Sequence, residues 1–345
     1  MSTPTNSPGS GSGGAPAQLA RVETRSRAAG APARSASPQL ARALAEPALI
    51  DWIVMGVLVV ELFAVWSGRP GPDRDHFLAY LGSLLVAYGG AVIAYRALAP
   101  TGFVWRRVYR LLPLVAACAV YFRLQEVFPI VNPREYDGAL HALDLRLFGT
   151  DLSVWLEEYS TPAVIDWFSF FYFLYFPMCL TGILWAIFVC KEPDRRARFA
   201  VGTILAFLVG HVVYLIVPGL GPWHYLAADY DAPLTGGWFF EANWTTYRTG
   251  AGHDIFPSLH TAVSVWLCLF LGAERATHRG ARILFWPVVF IVANIVAATI
   301  VLRWHYFVDL IAGGALSLSC SVASRRAVAA YEQRRADLGV TPGFW

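Results

Sequence analysis

Apolar side chains dominate eight runs of the chain, each about as long as a bilayer is thick when folded as a helix. Runs of roughly 17 to 25 apolar residues cross the hydrocarbon core as α-helices. The run from residue 258 is short, and only the polar stretch 303–305 separates the last two runs. We interpret both as spans, so the pattern predicts an all-α, polytopic membrane helix bundle with about eight transmembrane helices. The runs cover residues 49–66, 77–95, 111–130, 163–190, 199–217, 258–273, 283–302 and 306–323.

The composition agrees with a membrane protein. Hydrophobic residues make up 56% of the chain, charged residues only 15%, and the mean hydropathy is +0.47. A soluble domain needs fewer apolar residues than this for its core. Residues 1–46, by contrast, are rich in Gly, Pro, Ser, Ala and Arg. Such a segment cannot bury enough surface to offset the entropy of ordering, so we predict a disordered tail. It is not a signal peptide, because the apolar run after it has spanning length.

The basic residues predict the orientation of the bundle. With the N-terminus in the cytoplasm, the inside segments hold 20 of the 27 Lys and Arg residues and the outside segments hold 6. This asymmetry follows the positive-inside rule and places both termini in the cytoplasm. We divide the chain into a cytoplasmic tail (1–46), N-terminal transmembrane helices (47–130), a membrane domain with the candidate chemistry (131–323) and a second cytoplasmic tail (324–345). We expect an integral protein of a bacterial plasma membrane.

Two short polar blocks stand at the start of two apolar runs, FPSLH at 256–260 and RWHYFVD at 303–309. Both runs travel from outside to inside, so both helix N-termini meet at the periplasmic or exterior surface, where an anionic phosphate is favoured. His305 and Asp309 are four residues apart on one helical face, so the carboxylate can orient the imidazole. The pattern predicts phosphoryl transfer, with His305 as nucleophile, His260 as general acid and Asp309 as the orienting carboxylate.

Further polar residues are candidates for binding the phosphate. Ser258 is placed to cap its helix and to donate to a phosphate oxygen. Arg303 and Arg248 are the only cations in the two outward segments that carry the motifs. We therefore assign both to the non-bridging oxygens.

Three residues are candidates for contact with the substrate. His253 either lines the pocket or is solvated in a polar loop. Trp223 and His224 either contact the substrate or anchor their loop at the interface.

His211 lies within a span, where a packing role is more usual. The segment 134–162 alternates apolar and charged residues, which predicts a helix on the outer leaflet that guides lipid towards the site.

The two blocks carry a resemblance to a known family. PSLH at 257–260, followed after a hairpin of two spans by HYFVDLIAG at 305–313, resembles the type 2 phosphatidic acid phosphatase superfamily. Within it, the chain looks most like the inositol phosphorylceramide synthase-like branch, which includes the sphingomyelin synthases. The likeness covers roughly residues 133–320, including DLRLFG at 144–149 and GPW at 221–223. It implies a six-helix core, an outward-facing triad of His260, His305 and Asp309, and a phosphohistidine intermediate.

The chain departs from the family pattern in two places. Lipid phosphatases of the superfamily usually carry a Lys-x6-Arg-Pro block. Here Lys191 stands seven before Arg198, but Phe199 follows and the block lies in an inward loop. The family also tends to place an arginine six before the nucleophile, where this chain has Thr299. Lack of the lysine block favours the synthase-like branch over the ordinary phosphatases.

Three classes of function stay open at this stage. The first is an enzyme that moves a phosphate or phosphoalcohol group from a lipid to a hydroxyl acceptor, or to water as a plain lipid phosphate phosphatase. The second is a metal-dependent membrane hydrolase with His253, His260, His305 and an Asp as ligands. The third is a non-catalytic transporter. We favour the first, with lipid substrate from the outer leaflet, no cofactor, no metal and no nucleic-acid partner.

Overall fold

In the computed structural model, which describes residues 46–98, 102–250 and 252–340, every regular element is helical. The predicted tail 1–46 lies outside the described residues except for its last position, as do residues 341–345. The helices are α1 (Leu49–Ser67), α2 (Pro72–Leu98), α3 (Phe103–Tyr121), α4 (Leu124–Val131), α5 (Asp137–Phe148), α6 (Leu152–Trp155), α7 (Pro162–Leu184), α8 (Pro193–Ile216), α9 (Pro222–Tyr225), α10 (Trp238–Thr249), α11 (Leu259–Glu274), α12 (Arg279–Val301) and α13 (Phe307–Asp337). A 3-10 turn (Leu156–Tyr159) follows α6, and a π-helical turn (Trp185–Val189) ends α7.

The predicted fold class, an all-α polytopic membrane bundle, is confirmed. Within the described residues, six helices are long and apolar enough to cross a membrane, namely α1, α2, α7 with its π turn, α8, α12 and α13. A seventh is added if α3 and α4 count as one bent span. The remaining predicted run is α11, which is apolar but has only 16 residues. The chain is an integral membrane protein by the length and composition of these helices.

The third predicted span is not one straight helix. A bend of 56° separates α3 from α4. Arg123 stands at this bend and forms an ion pair with Glu126 in the first turn of α4. These two charged residues of the predicted run 111–130 therefore lie where the span breaks. At the other end of the chain, α13 continues to Asp337, well into the segment predicted as a tail.

Small residues let α11 and α13 pack closely at the centre of the bundle. A Cβ atom at Gly313 would lie 2.6 Å from the carbonyl oxygen of Ser258. One turn further along α13, the Ser317 hydroxyl donates to the carbonyl of Ala262 at 2.6 Å. Close helix approach through Gly, Ala and Ser is typical of membrane bundles, where packing and hydrogen bonds replace the hydrophobic effect. This contact fixes the start of α11 against the start of α13. The bundle is completed around this pair by α8 and α12.

Helix α5 lies at the same end of the bundle, within the segment 134–162 that was predicted to form a helix on the outer leaflet. Asp137, His141 and Asp144 occupy positions i, i+4 and i+7, which share one helical face. Asp137 and Asp144 are buried, whereas Leu143 and Leu147 on the rest of the helix are exposed. The helix therefore turns its acidic residues to the protein and exposes leucines on its outer side.

Candidate active site

His305 and Asp309 form a buried pair at the start of α13. His305 lies in the loop after α12 and is 5% exposed, and Asp309 in the first turn of α13 is fully buried. The Asp309 Oδ2 atom lies 3.2 Å from His305 Nδ1 and also accepts the backbone N–H of Tyr306 at 2.9 Å. A carboxylate at this distance selects the tautomer with its proton on Nδ1. The lone pair of His305 is then on Nε2, as a nucleophile requires.

The protonation of His305 suits the same role. Burial lowers the pKa of this imidazole to about 4, against the opposite influence of Asp254 and of the Ile255 carbonyl. Because the charged form is disfavoured in a desolvated site, the ring is neutral at ordinary pH. Only the neutral ring has a free lone pair, so His305 is held in its reactive form.

His260 faces His305 from the first turn of α11. The two ring centroids are 6.3 Å apart. Tyr172 and Tyr175 of α7 pack against the His260 ring at centroid distances of 4.0 and 4.1 Å. The Nε2 atom of His260 is buried and has no hydrogen-bond partner within the described part of the chain. A group placed between the two histidines could therefore meet a lone pair on one side and a proton donor on the other.

Both histidines line a cavity of about 370 Å³. This volume is within the range of sites that hold small molecules. Its walls come from α3, α7 and α8 and are mostly apolar and aromatic, and they include Phe122, Phe176 and Leu180, which are exposed on the outside of the bundle. Among the described residues that line it, there is no Arg or Lys. Apart from one carboxyl group, the cavity therefore offers apolar, aromatic and uncharged polar surface, and it reaches the outside of the bundle.

Asp254, the residue after the candidate His253, is a carboxyl group in this cavity. It lines the cavity with His260 and His305, and its Oδ2 accepts a hydrogen bond from Tyr121 at 2.8 Å. Burial raises the pKa of Asp254, and the Tyr121 hydroxyl opposes this shift. His211 also lines the cavity from α8, with its Nδ1 unpartnered among the described residues. No spacing rule in the sequence connects Tyr121 or His211 with the blocks at 256–260 and 303–309.

Ser258 links α11 and α13 but does not reach the cavity. Its side chain accepts the backbone N–H of Thr261, so the predicted helix cap is confirmed. Its own N–H donates to the carbonyl of Asp309 at 3.1 Å. The side chain is fully buried and absent from the cavity wall. The structure therefore places Ser258 as a helix cap, and its predicted phosphate contact stays a prediction.

The N-terminus of α13 is not open to a phosphate, contrary to the sequence-based interpretation. The Asp144 carboxylate of α5 accepts the N–H groups of Phe307 and Val308 at 2.6 and 3.0 Å. The adjacent Tyr306 N–H is bound by Asp309. A helix N-terminus whose N–H groups are satisfied by carboxylates has no donors left for a ligand. Sequence alone could not reveal that a distant helix supplies this cap.

Asp137 supports the loop on which His305 stands. Its carboxylate accepts the N–H groups of Leu220 and Gly221 at 2.9 and 2.7 Å and the Tyr306 hydroxyl at 3.1 Å. Gly221 has a φ of +97° and approaches Trp304 so closely that a Cβ atom would lie 2.5 Å from its carbonyl oxygen. Only glycine fits this conformation and contact comfortably. The GPW block is thus part of the support of the catalytic loop.

The two arginines predicted to bind phosphate lie elsewhere. Arg303 donates to Glu157 at 2.9 Å and to the carbonyl of Ala232 at 3.0 Å, and it covers the Tyr230 ring at 3.6 Å. Burial alone would raise the pKa of Glu157, but hydrogen bonds from the neighbouring backbone and from Arg303 lower it overall. Arg248 is exposed in the last turn of α10. Neither arginine lines the cavity. Arg303 is bonded to Glu157 and to the loop at Ala232, and the Arg248 side chain is exposed.

The predicted substrate contacts are also outside the cavity wall. His253 is near Glu135 at 3.6 Å and packs against Phe128. Trp223 packs among aromatic rings next to Trp304, and its indole donates to the carbonyl of Leu220. Both side chains pack against neighbouring segments, and neither lines the cavity. His224 is exposed beside Trp223.

Within the described residues, no three His, Cys, Asp or Glu side chains come together as a metal-binding group.

Three comparisons with known proteins bear on the family of the chain. No curated protein and no solved structure gives a significant match to the chain. A family model described as "PAP2 superfamily" matches residues 138–323, more than half of the chain. This stretch contains His260, His305 and Asp309. The chain belongs to the type 2 phosphatidic acid phosphatase superfamily of membrane phosphatase-like proteins.

Proposed function

We propose that the protein is a lipid phosphotransferase or lipid phosphatase that works through a phosphohistidine at His305. The observation that carries this proposal is the pair of histidines that face each other across a lipid-accessible cavity, one of them held by a buried carboxylate. Covalent catalysis needs an activated nucleophile, a base that orients it and a nearby acid. His305, Asp309 and His260 fill these three roles.

The steps follow from the positions of the two rings. His305 Nε2 attacks phosphorus, a P–N bond forms, and the bond from phosphorus to the leaving oxygen breaks. Protonated His260 gives its proton to that oxygen, and the negative phosphate favours this protonated form. In the second half, neutral His260 takes the proton of an acceptor hydroxyl, whose oxygen attacks phosphorus and releases His305. With water as the acceptor the result is hydrolysis, and with an alcohol it is transfer.

Charge favours a phosphodiester substrate over a phosphomonoester. A monoester phosphate carries about 1.5 to 2 negative charges at pH 7, whereas a diester carries one. The described residues of the cavity wall provide no Arg or Lys to balance the second charge, and Arg303 is paired with Glu157. A lipid with a phosphoalcohol headgroup therefore suits the cavity better than phosphatidic acid. This supports the synthase-like branch, in which a headgroup is moved from one lipid to another.

Turnover of defined lipids would test the proposal. Purified protein is incubated with labelled phosphodiester and phosphomonoester lipids, with and without hydroxyl acceptors, and the products are analysed by mass spectrometry. We expect a new phosphodiester, label trapped on the protein during turnover, and loss of both in His305→Asn. The matched control is His224→Asn, which changes an exposed histidine away from the cavity.

The other outcomes separate the alternatives. Products formed only with water would identify a phosphatase. Activity that disappears with a chelator, without label on the protein, would indicate a metal-dependent hydrolase. Equal turnover in wild type and His305→Asn would overturn the phosphohistidine route, and an inert wild-type protein would indicate a non-catalytic role.

A further inference from the structure

A second large cavity lies at the opposite end of the bundle from His260. It has a volume of about 550 Å³ and is lined by α7, α8, α11 and α12. Helix α11 starts at the candidate active site and ends at Glu274, so this cavity and the active site are at opposite ends of the same helix. They also lie on different faces of α7: Tyr175 and Cys179 line the first cavity, and Pro177 and Met178 line the second. The site proposed above does not use it. We call it the distal groove.

The distal groove has the depth of one leaflet. Its lining on α12 extends from Arg279 at the start of the helix to Ile291. At a rise of 1.5 Å per residue these positions are about 18 Å apart. Half of a hydrocarbon core is about 15 Å thick. Leu284 and Thr181 of the lining are exposed on the outside of the bundle, so the groove is open to the bilayer along its side. An acyl chain can therefore lie in it from rim to midplane.

The rim of the groove is basic. The chain segments 191–198 and 274–282, which form this end of α8, α11 and α12, hold seven Lys or Arg residues and three Asp or Glu residues. Three carboxylates serve two arginines and a histidine here. The buried Glu274 lies 3.0 Å from Arg195, 3.2 Å from Arg198 and 3.1 Å from His278, and the exposed Glu192 and Asp194 form further, longer ion pairs with the same three cations. Arg279 is exposed at the rim and has no ion pair among the described residues. Positive charge is therefore left over where a headgroup would lie.

We propose that the distal groove binds one anionic phospholipid, with an acyl chain along α7 and α12 and its phosphate at Arg195, His278 and Arg279. Basic pockets between transmembrane helices at the cytoplasmic side are the usual sites for such headgroups. The groove is apolar below and cationic above, which matches this ligand and not a soluble one. The inference does not depend on the reaction at His305.

Binding of individual lipids by the full-length protein in detergent tests the inference. Native mass spectrometry would count bound phosphatidylglycerol and, separately, bound phosphatidylcholine of the same chain length. We expect one phosphatidylglycerol to bind more tightly than phosphatidylcholine. Arg279→Ala should weaken phosphatidylglycerol binding by about fivefold, since one surface cation contributes about that factor to anionic-lipid binding. Arg326→Ala, at an exposed arginine of α13 outside the groove, is the matched control and should change nothing.

A second variant fills the groove without a clash. Gly280 lines the groove, and a Cβ atom there would meet no atom within 4 Å. Gly280→Leu should therefore fold and lower the binding of both lipids. Thr181→Leu narrows the groove from α7 and keeps the test decisive if the first variant is unstable. Gly56→Leu on α1, where a Cβ atom also meets nothing, is the control for added bulk. Equal binding of the two lipids by wild type, or unchanged binding in both groove variants, would overturn the proposal.

Discussion

Replacement of Asp144 by alanine tests how the catalytic end of α13 is held in place. This carboxylate belongs to α5 but closes the first turn of α13 by accepting the N–H groups of Phe307 and Val308. His305 immediately precedes this turn and Asp309 lies within it. Asp144 touches neither the cavity nor the reacting atoms, so we regard it as a positioning residue. Its loss should loosen the His305–Asp309 pair.

The size of the effect follows from the two hydrogen bonds. A bond to a charged acceptor contributes about 1.5 to 3 kcal/mol, and loss of a helix N-cap costs about 0.5 to 2 kcal/mol. Phe307 and Val308 are partly exposed, so water can reach their N–H groups in the variant and the lower values apply. We expect about 2 kcal/mol for Asp144→Ala, or roughly a 30-fold loss if the open turn is inactive. Asp144→Asn keeps one oxygen acceptor and should lose about half of that free energy.

The assay must separate positioning from general stability. We expect kcat for lipid turnover to fall while KM stays close to that of wild type, because the cavity wall is unchanged. Asp144→Asn should recover part of kcat. Asp229→Asn, at an exposed carboxylate in the loop after α9, is the control and should behave as wild type. The reasoning is refuted if Asp144→Ala retains wild-type kcat, or if kcat and KM change together by the same factor in both Asp144 variants.

Three further predictions concern the two catalytic helices. Because the pKa of His305 is near 4, formation of the phosphoenzyme from a substrate whose leaving group has a low pKa, and so does not need the proton of His260, should be constant down to about pH 5 and fall only below it; an acidic limb near pH 6.5 in rapid-quench measurements would contradict this. His260→Asn should slow turnover about 10²- to 10⁴-fold, because the leaving oxygen loses its proton donor. In single-turnover kinetics, a substrate whose leaving group has a low pKa should recover much of this loss. No recovery is expected if His260 has only a packing role. Gly313→Ala should destabilise the protein by about 1 to 3 kcal/mol, because the added Cβ would press on the carbonyl oxygen of Ser258. Gly314→Ala, where the Cβ meets open space, is the control and should be neutral or stabilising. Equal thermal unfolding of the two variants would contradict the close helix contact.

The sequence predicted the helical spans well because their signal is local. A continuous apolar run is sufficient to indicate a membrane helix, and α1 and α7 with its π turn begin and end within one residue of the predicted limits, whereas α2, α8 and α12 begin four to six residues earlier than predicted. The bend between α3 and α4 and the extension of α13 beyond residue 323 were not predicted. The bend depends on where a polar pair reaches the surface, and the extension lies in polar sequence whose helical state hydropathy does not report.

The candidate site was predictable only as far as neighbouring residues determine it. His305 and Asp309 are four apart, so helical geometry alone brings their side chains together, and the structure places them 3.2 Å apart. His260 comes close to His305 only because α11 packs against α13. The hairpin of two spans in the sequence made this packing a reasonable expectation. Their catalytic roles remain predictions. For Arg303 the sequence was not sufficient. Its charge suggested a phosphate contact, and only the folded chain reveals its pairing with Glu157.

The distribution of charge gives the site its character. A cation in a desolvated cavity costs free energy unless a counter-ion accompanies it, so an empty lipid-facing cavity is more stable with neutral rings than with a free arginine. Arg303 is therefore stable only because it is bound by Glu157, and the N–H groups of α13 are stable because Asp144 accepts them. In the proposed reaction, the cavity needs a positive charge only while the phosphate is bound. Protonated His260 can carry that charge. Under the proposed function, a site of this kind keeps its apolar wall available to lipid tails between turnovers, and it obtains its positive charge from proton transfer rather than from a fixed cation.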